Sequence, residues 1–261
     1  MYFSVINYQL GSPVGAANYA RAFTDPAVFS AIAVSVSFAI GSVLVSVGIG
    51  LVLTFLVTQL KRRRNFFESF FLMPLAVAPV AVGVIWEPSG FWDDIDTFWH
   101  FILHFPFFNV ANLFLAFPIM ILSAGWEWAP IIMLVSLSVL SGVPREIFEA
   151  ASVHGATNAQ VFRKFAVPAI LRSRVMQFMV VLLFIDGMRA FEIPFTWSTW
   201  LSLPNAGSPI DTVSVLIFKL LTVPIYGFPI SYISAVAVIL LIITLSTTTV
   251  LYILMKRLDK A

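Results

Sequence analysis

Three ionisable residues stand three positions apart inside an apolar stretch of the chain. Asp186, Arg189 and Glu192 interrupt a run of Leu, Val, Ile and Phe, and on one continuous helix they would share about one third of the circumference. A charge near the centre of a membrane costs about 3 kcal/mol on insertion scales, so such residues generally face a bundle interior or a water-filled path. This spacing therefore suits recognition of a polar solute or an ion pair between helices.

A further carboxylate, Glu127, stands between Trp126 and Trp128 in the sequence GWEWAP. We expect it at a similar membrane depth, where it could pair with Arg189. Carboxylates and indole rings offer hydrogen bonds and stacking to a polar substrate. Two interpretations stay open: the six residues line a translocation path, or they form an ion-pair network that holds helices or subunits together.

Other chemistry finds little support in the sequence. The chain contains no Gly-Lys pair, and hence no phosphate-binding loop of the G-x-x-x-x-G-K-[ST] type. Its three histidines lack the acid and serine motifs of a hydrolase. Asp96, His100 and His104 could present one helical face to a metal, but the aromatic residues of 91–105 favour an interfacial helix at headgroup level. We therefore predict neither a catalytic site nor a metal site.

The composition is that of a membrane protein. Apolar residues make up 60% of the chain and charged residues 11%, against about 25% charged residues in soluble domains, and the mean hydropathy is +0.96. So few charges cannot form the polar surface that a soluble core needs. The net charge of +2 is too small to indicate nucleic-acid binding, and the absence of cysteine excludes disulfides and thiolate metal sites.

Apolar length predicts five membrane-spanning helices, because about 20 helical residues cross the hydrocarbon layer. Pro74 and Pro79 interrupt the second span, and Pro130 should kink the third. The spans fall near residues 28–57, 70–86, 113–140, 175–195 and 230–255, with outer connections at 91–112 and 196–226.

The first predicted span carries Gly41, Gly48 and Gly50 among small serines. These glycines either allow another helix to approach closely or lie on a lipid-facing surface. The sequence favours neither alternative.

The basic residues predict the orientation of the chain. Twelve of the fifteen Lys and Arg residues fall on one side of the five-span arrangement, which should be cytoplasmic. The amino terminus would then lie outside. Because that is unusual for a chain with no signal peptide, we expect a preceding span that this sequence does not include.

A polar connection, residues 143–172, separates the third and fourth spans on the predicted cytoplasmic side, and we call it the elbow segment. Glu146 falls early in its first helix, where negative charge suits the helix dipole. Gly155 can take the left-handed conformation that ends a helix, Asn158 can cap a second helix, and Pro168 should stop that helix. The expected form is a helix, an elbow and a second helix flat under the membrane, docked on a partner or resting on lipid headgroups.

The elbow segment resembles the EAA loop in permease subunits of bacterial binding-protein-dependent ABC importers. That loop has the pattern E-A-A-x-x-D-G-A followed by hydrophobic-x-P, and this chain has EAASVHGATNAQVFRKFAVP, with His154 at the usual Asp position. Four further segments resemble family segments and occur in the family's order along the chain: ANYARAFTDPAVFSAI, RRNFFESFFLMPLAVAPVAVGVIW, NAGSPIDT and YGFPISYISAVAVIL. The matching loop residues are Glu149, Ala150, Ala151, Gly155, Ala156 and Pro168.

This resemblance implies an all-α integral membrane protein with the type I ABC importer permease fold. Residues 1–261 would form a single transmembrane permease domain in the bacterial inner (plasma) membrane, with five transmembrane helices and a coupling helix. The family core typically has six helices, so the usual first helix would be absent.

The resemblance also implies the partners. These are a second homologous permease, a dimer of cytoplasmic ATPase subunits that carries the ATP and magnesium, a periplasmic or lipid-anchored substrate-binding protein, and membrane lipid, with no nucleic acid and no cofactor in this chain. The EAA loop would act as a coupling helix docked in the ATPase. The residues implied in that contact are Glu146, Glu149, Ala150, Ala151, His154, Gly155, Ala156, Phe162 and Pro168.

The substrate class follows from a narrower likeness. The AGSP and FFLMP sequences resemble the maltose and glycerol-phosphate permeases, which implies a sugar or sugar derivative and leaves polyamine, phosphate and amino-acid import open. Two other classes of function also stay open. One is a secondary transporter or channel that uses Asp186, Arg189 and Glu192 as a relay, and the other is a membrane scaffold whose elbow segment binds a partner other than an ATPase.

Overall fold

The computed structural model describes residues 16–60, 64–87, 113–144, 146–147, 151, 153, 155–201, 209–222 and 229–258. Every regular element in these ranges is helical, as predicted. In chain order the helices are α1 (Ala17–Thr24), α2 (Pro26–Gln59), α3 (Arg64–Phe71), α4 (Pro79–Trp86), α5 (Leu113–Ser141), α6 (Asn158–Arg172), α7 (Arg174–Met188), α8 (Glu192–Trp200), α9 (Val213–Thr222) and α10 (Ile230–Leu258).

Three helices in the described part of the chain are long and apolar enough to cross a membrane, namely α2, α5 and α10. They coincide with the first, third and fifth predicted spans. Helix α5 runs on through Pro118 and Pro130. Helix α2 has 34 residues, which is about 51 Å at 1.5 Å per residue, so it extends beyond the hydrocarbon layer.

The second predicted span, residues 70–86, is not one helix. Helix α3 ends at Phe71, a 3₁₀ turn covers Met73–Ala76, and α4 begins at Pro79. Pro74 and Pro79 each lie in the first turn of their element, where a missing N–H costs nothing. Two prolines five residues apart therefore divide the segment rather than merely kink it.

The fourth predicted span, residues 175–195, is also divided. Helix α7 ends at Met188 and α8 begins at Glu192, so residues 189–191 form a break in the middle of the polar cluster. On the other side, α6 meets the α7–α8 pair at an angle of 68°. Ser173 lies at that bend and accepts a hydrogen bond from the Met176 N–H at 3.2 Å.

Two of the three glycines in the first span permit close helix packing. A Cβ on Gly50 would lie 2.6 Å from the Ile132 Cβ, and one on Gly41 would lie 2.9 Å from the Ile121 Cδ1. A Cβ on Gly48 would meet nothing within 4 Å. Gly41 and Gly50 therefore allow the close approach of α5. Gly48 is exposed and has no neighbour, as the lipid-facing alternative requires.

Polar contacts tie α1 and α10 to the start of α2. Asp25 caps α2 by accepting a hydrogen bond from the Ala27 N–H at 2.9 Å, and its second carboxylate oxygen accepts one from the Tyr232 hydroxyl at 2.6 Å. The Arg21 guanidinium lies 5.0 Å from the centroid of the Tyr232 ring. The Asp25 carboxylate thus joins α2 to α10, and the contact of Arg21 with Tyr232 joins α1 to α10.

Candidate functional site

A polar cavity of about 300 Å³ lies between α2, α5 and the α7–α8 break. Helix α2 contributes two serines, and α5 contributes one carboxylate and one indole. The break region contributes Asp186, Arg189 and Glu192, which we call the charged trio. The residues of the wall include Ser42, Ser46, Glu127, Trp128, Asp186, Arg189 and Glu192. We call this space the polar cavity.

The charged trio reaches the cavity by a route that helical spacing does not predict. Because the helix breaks after Met188, Asp186, Arg189 and Glu192 do not lie on one continuous helix. Asp186 is on the last turn of α7, Arg189 is the residue that ends it, and Glu192 starts α8. All three nevertheless line the same cavity.

Glu127 lies in the cavity wall and is 6% exposed. The pairing with Arg189 considered from the sequence is wrong, because the Arg189 Nη2 atom lies 3.4 Å from the Asp186 Oδ1 atom instead. Arg189 follows the end of α7, and its side chain is 70% exposed. In the part of the chain that the structure describes, Glu127 forms no ion pair and no hydrogen bond.

The two tryptophans beside Glu127 lie on different sides of α5. Trp128 lines the cavity, whereas Trp126 packs against Trp86 with ring centroids 5.7 Å apart. Residues two positions apart on a helix are rotated by about 200°. Five of the six predicted path residues therefore surround the cavity, and Trp126 belongs to the packing of α4 on α5.

Hydrogen bonds from the start of α9 hold the α7–α8 break. The Thr212 hydroxyl donates to the Ala190 carbonyl at 2.7 Å, and the Ser214 hydroxyl donates to the Arg189 carbonyl at 3.0 Å. Backbone groups freed by the break thus find partners on a neighbouring segment, as they must inside a membrane protein.

A buried ion pair lies next to this break. The Lys219 Nζ atom is 2.9 Å from both carboxylate oxygens of Asp211 and 2.7 Å from the Ser198 hydroxyl. Asp211 is fully buried and Lys219 nearly so. The sequence analysis did not identify this pair. The available signal was a lysine on the otherwise apolar α9, eight residues after an acid.

The elbow segment bends where the sequence predicts. Gly155 has φ +76°, which is the left-handed region that favours glycine. The Ala156 N–H donates to the Ala151 carbonyl at 3.1 Å, the long-range bond of a helix-ending Schellman turn. This confirms the predicted conformation of Gly155.

The cap of α6 is Thr157 rather than the predicted Asn158. The Thr157 hydroxyl accepts from the Gln160 N–H at 3.3 Å, and the Gln160 side chain accepts from the Thr157 N–H at 2.9 Å. This reciprocal pair is a capping box. Asn158 instead donates its side-chain amide to the Gln59 Oε1 at 2.7 Å, at the end of α2.

Pro168 does not end the second helix of the elbow segment, as the sequence led us to expect. A π-helical turn over Phe162–Ala166 precedes it, and the helix continues to Arg172. The wider turn accommodates a residue that has no N–H and whose ring would crowd an α-helical carbonyl. Within this turn Phe162 packs against Phe55 of α2, with ring centroids 5.1 Å apart.

The remaining predicted contact residues divide between described and undescribed positions. Glu146 is exposed. Glu149, Ala150 and His154 lie outside the described residues, as does the predicted interfacial helix with Asp96, His100 and His104.

The backbone matches solved membrane transporters. The chain superposes with a TM-score of 0.74, over 99% of its own length and 87% of the other chain, on a bacterial ABC transporter involved in the import of the acidic polysaccharide alginate, at 18% identity. A second structure, of a bacterial alginate ABC transporter in complex with an alginate pentasaccharide-bound periplasmic protein, gives a TM-score of 0.72 at 19% identity, over 95% and 84% of the two chains. The fold is therefore that of an ABC importer permease.

Residues 46–261 match the family model described as binding-protein-dependent transport system inner membrane component, and the chain belongs to this family. It is 23% identical to the sn-glycerol-3-phosphate transport system permease protein UgpA of Agrobacterium fabrum over 239 residues, which is 90% of this chain and 78% of the relative. It is 24% identical to the trehalose/maltose transport system permease protein MalF of Thermococcus litoralis over 241 residues, which is 91% of this chain and 78% of the relative. The family resemblance and the inner-membrane location are confirmed.

Proposed function

We propose that this chain is the permease subunit of an ATP-driven importer and forms, with a second permease, an alternating-access path for a sugar or sugar derivative. Cytoplasmic ATPase subunits would drive it through the elbow segment, and a binding protein would deliver the solute from outside. The chain itself is not an enzyme. ATP hydrolysis would belong to the partner subunits.

The observation that carries this proposal is that α2 contacts both the elbow segment and the polar cavity. At one end, Gln59 and Phe55 contact Asn158 and Phe162 of α6. Farther along the same helix, Ser42 lies in the cavity wall. The distance from Ser42 to Phe55 is about 20 Å along the helix axis at 1.5 Å per residue.

A continuous helix between two sites can transmit a displacement, because packed helices move as rigid bodies. Movement of α6 with a closing ATPase dimer would shift the Phe55 end of α2, and the two serines in the cavity wall would move with it. The junction of α6 with the α7–α8 pair, bent by 68°, gives the elbow segment a second connection to the cavity, through Asp186 on the last turn of α7.

The cavity supports a path for a polar solute. Glu127, Asp186 and Glu192 offer acceptors for hydroxyl groups, Arg189 offers donors, and Trp128 offers an aromatic face. The names of the relatives support a sugar or sugar derivative, and they include uncharged trehalose and maltose as well as anionic glycerol phosphate and alginate.

Purification of the tagged chain from its native membrane tests the proposal. We expect an ATPase subunit and a second permease to co-purify, and we expect the ATPase activity of the complex to rise severalfold when loaded binding protein is added. The secondary-transporter alternative predicts transport in liposomes by this chain without an ATPase. If the chain purifies without an ATPase and transports a solute down an ion gradient, our proposal is wrong.

A further inference from the structure

We propose that the polar cavity accepts uncharged carbohydrates and rejects anionic ones such as sugar phosphates and uronic acids. The inference rests on the proposed function and narrows its substrates from sugars in general to sugars without a negative charge. Two observations support it: the charge balance of the cavity wall, and the absence of a hydrogen-bond donor to the Glu127 carboxylate among the described residues.

The charge balance of the wall disfavours an anion. Three carboxylates, Glu127, Asp186 and Glu192, face the cavity together with one guanidinium, that of Arg189. Asp186 already pairs with Arg189 at 3.4 Å, so the single cation is partly neutralised from within the wall. A phosphate or uronate entering this space would meet a surplus of negative charge, and like-charge repulsion is a common way to reject a wrong ligand.

Glu127 shows what the cavity is suited to bind. Its side chain is more than nine-tenths buried, it lies in the cavity wall, and no described residue donates a hydrogen bond to it or forms an ion pair with it. Its carboxylate oxygens reach the cavity with no donor from the described residues, and a ligand that supplies donors there satisfies them. Sugar hydroxyl groups are such donors, whereas ionised phosphate oxygens are acceptors.

The other wall residues fit the same ligand class. Trp128 lies next to Glu127 in the chain and also lines the cavity, where an indole ring can cover the apolar face of a sugar ring. The Ser42 and Ser46 hydroxyls donate to carbonyls of their own helix, at 3.2 Å and 2.7 Å, which leaves their oxygens as acceptors. The volume of about 300 Å³ is at the lower end of the range of ligand pockets, so a small sugar is a better fit than a long polysaccharide.

Matched ligands that differ only in charge test this inference. The complete importer, with both permeases and its ATPase subunits, is reconstituted in nanodiscs of phosphatidylethanolamine and phosphatidylglycerol without binding protein. Saturation-transfer NMR then compares glucose with glucose 6-phosphate and with glucosamine, and trehalose with trehalose 6-phosphate. We expect the uncharged sugar of each phosphate pair to bind at least tenfold more tightly, and the cationic glucosamine to bind at least as tightly as glucose.

Variants that remove charge but keep shape show whether the cavity is responsible. Glu127→Gln together with Glu192→Gln should raise the affinity for the 6-phosphate relative to the neutral sugar by about tenfold, which corresponds to about 1.4 kcal/mol. Glu192→Gln alone, at an exposed position, gives a second readout if the double variant does not fold. Glu68→Gln on α3 makes the same chemical change away from the cavity and should leave the ratio unchanged.

Each outcome bears on a different claim. If the phosphate esters bind as well as their neutral partners, or glucosamine binds more weakly than glucose, charge selection is wrong while sugar transport stands. The same holds if the Gln variants leave the ratio unchanged. If none of the sugars binds to an assembled importer, the proposed carbohydrate path fails, and this inference fails with it.

Discussion

Lys219 and Asp211 form a buried ion pair, with the Nζ atom 2.9 Å from the Oδ2 atom and the Ser198 hydroxyl completing the cluster. Asp211 directly precedes Thr212, whose hydroxyl holds the Ala190 carbonyl at the α7–α8 break. The pair thus fixes α9 against the break that carries part of the cavity wall.

We expect removal of one partner to destabilise the protein strongly. Lys219→Met or Asp211→Asn leaves the other group buried without its counter-charge, which costs about 3–5 kcal/mol. The double change to Met and Leu should recover most of that loss, because an apolar pair of similar volume is often tolerated. Thermal unfolding in detergent measures the effect.

The surface pair of Arg64 and Glu68, an (i, i+4) pair on α3, provides the control. Glu68→Gln should cost at most about 1 kcal/mol. Equal melting temperatures for the buried and surface variants would show that the Asp211–Lys219 pair does not stabilise this region.

The left-handed backbone at Gly155 gives a second prediction. A Cβ at Gly155 would meet nothing within 4 Å, so the cost of a side chain comes from φ +76° alone. Gly155→Val should reduce ATP-driven transport at least fivefold, while Gly155→Asn should retain most of it, because Asn tolerates this region.

Gly48→Val is the matched control, since a Cβ at Gly48 also meets nothing within 4 Å but the residue lies inside helix α2. It should transport normally. Normal transport by Gly155→Val would mean that the conformation of the elbow is not needed for coupling.

The ring contact between Phe55 and Phe162 should couple hydrolysis to transport. Phe162→Ala removes a contact between α2 and α6 worth about 0.5–1.5 kcal/mol beyond its area. We expect fewer solute molecules transported per ATP, with hydrolysis retained. Uptake and phosphate release measured in the same proteoliposomes give this ratio.

Phe165→Ala is the control, because Phe165 lies in the same π-helical turn but is 46% exposed. The number of solute molecules that this variant transports per ATP should equal that of the unchanged protein. A ratio lowered equally by both changes would assign the effect to the turn as a whole rather than to the contact with Phe55.

Close packing of α2 on α5 makes Gly50 sensitive to size. A Cβ there would lie 2.6 Å from the Ile132 Cβ and 2.8 Å from the Ala129 carbonyl oxygen, and backbone cannot rotate away as a side chain can. Gly50→Val should lower the melting temperature by several degrees, as over-packing costs about 1–3 kcal/mol. Gly48→Val should leave it unchanged, and a similar loss in both variants would refute this packing argument.

The sequence predicts the local features of this protein better than its interruptions. Long apolar runs locate α2, α5 and α10, because their length alone satisfies the membrane. Gly155 is predictable because few residues take φ near +76°. By contrast, nothing local marks the break at residues 189–191, since the partners that satisfy it are Thr212 and Ser214, more than twenty residues away.

In the candidate site, too, the sequence predicts which residues take part better than it predicts which residues they contact. Charges within apolar runs identify Glu127, Asp186 and Glu192 as wall residues. Their partners depend on the tertiary structure: the (i, i+3) spacing allows Arg189 to pair with Asp186 but does not exclude Glu127 as its partner, and the spacing of Lys219 and Asp211 does not show that the pair is buried.

The central claim is that the elbow segment lies in the cytoplasm and docks on an ATPase. The chain has no cysteine, so a single Val153→Cys change, at a side chain that is 85% exposed, provides a unique label. Treatment of intact cells with a membrane-impermeant maleimide should leave it unlabelled, and a thiol cross-linker applied to opened membranes should join it to the ATPase subunit. Labelling in intact cells, or no cross-link to the ATPase in the assembled complex, would contradict the account.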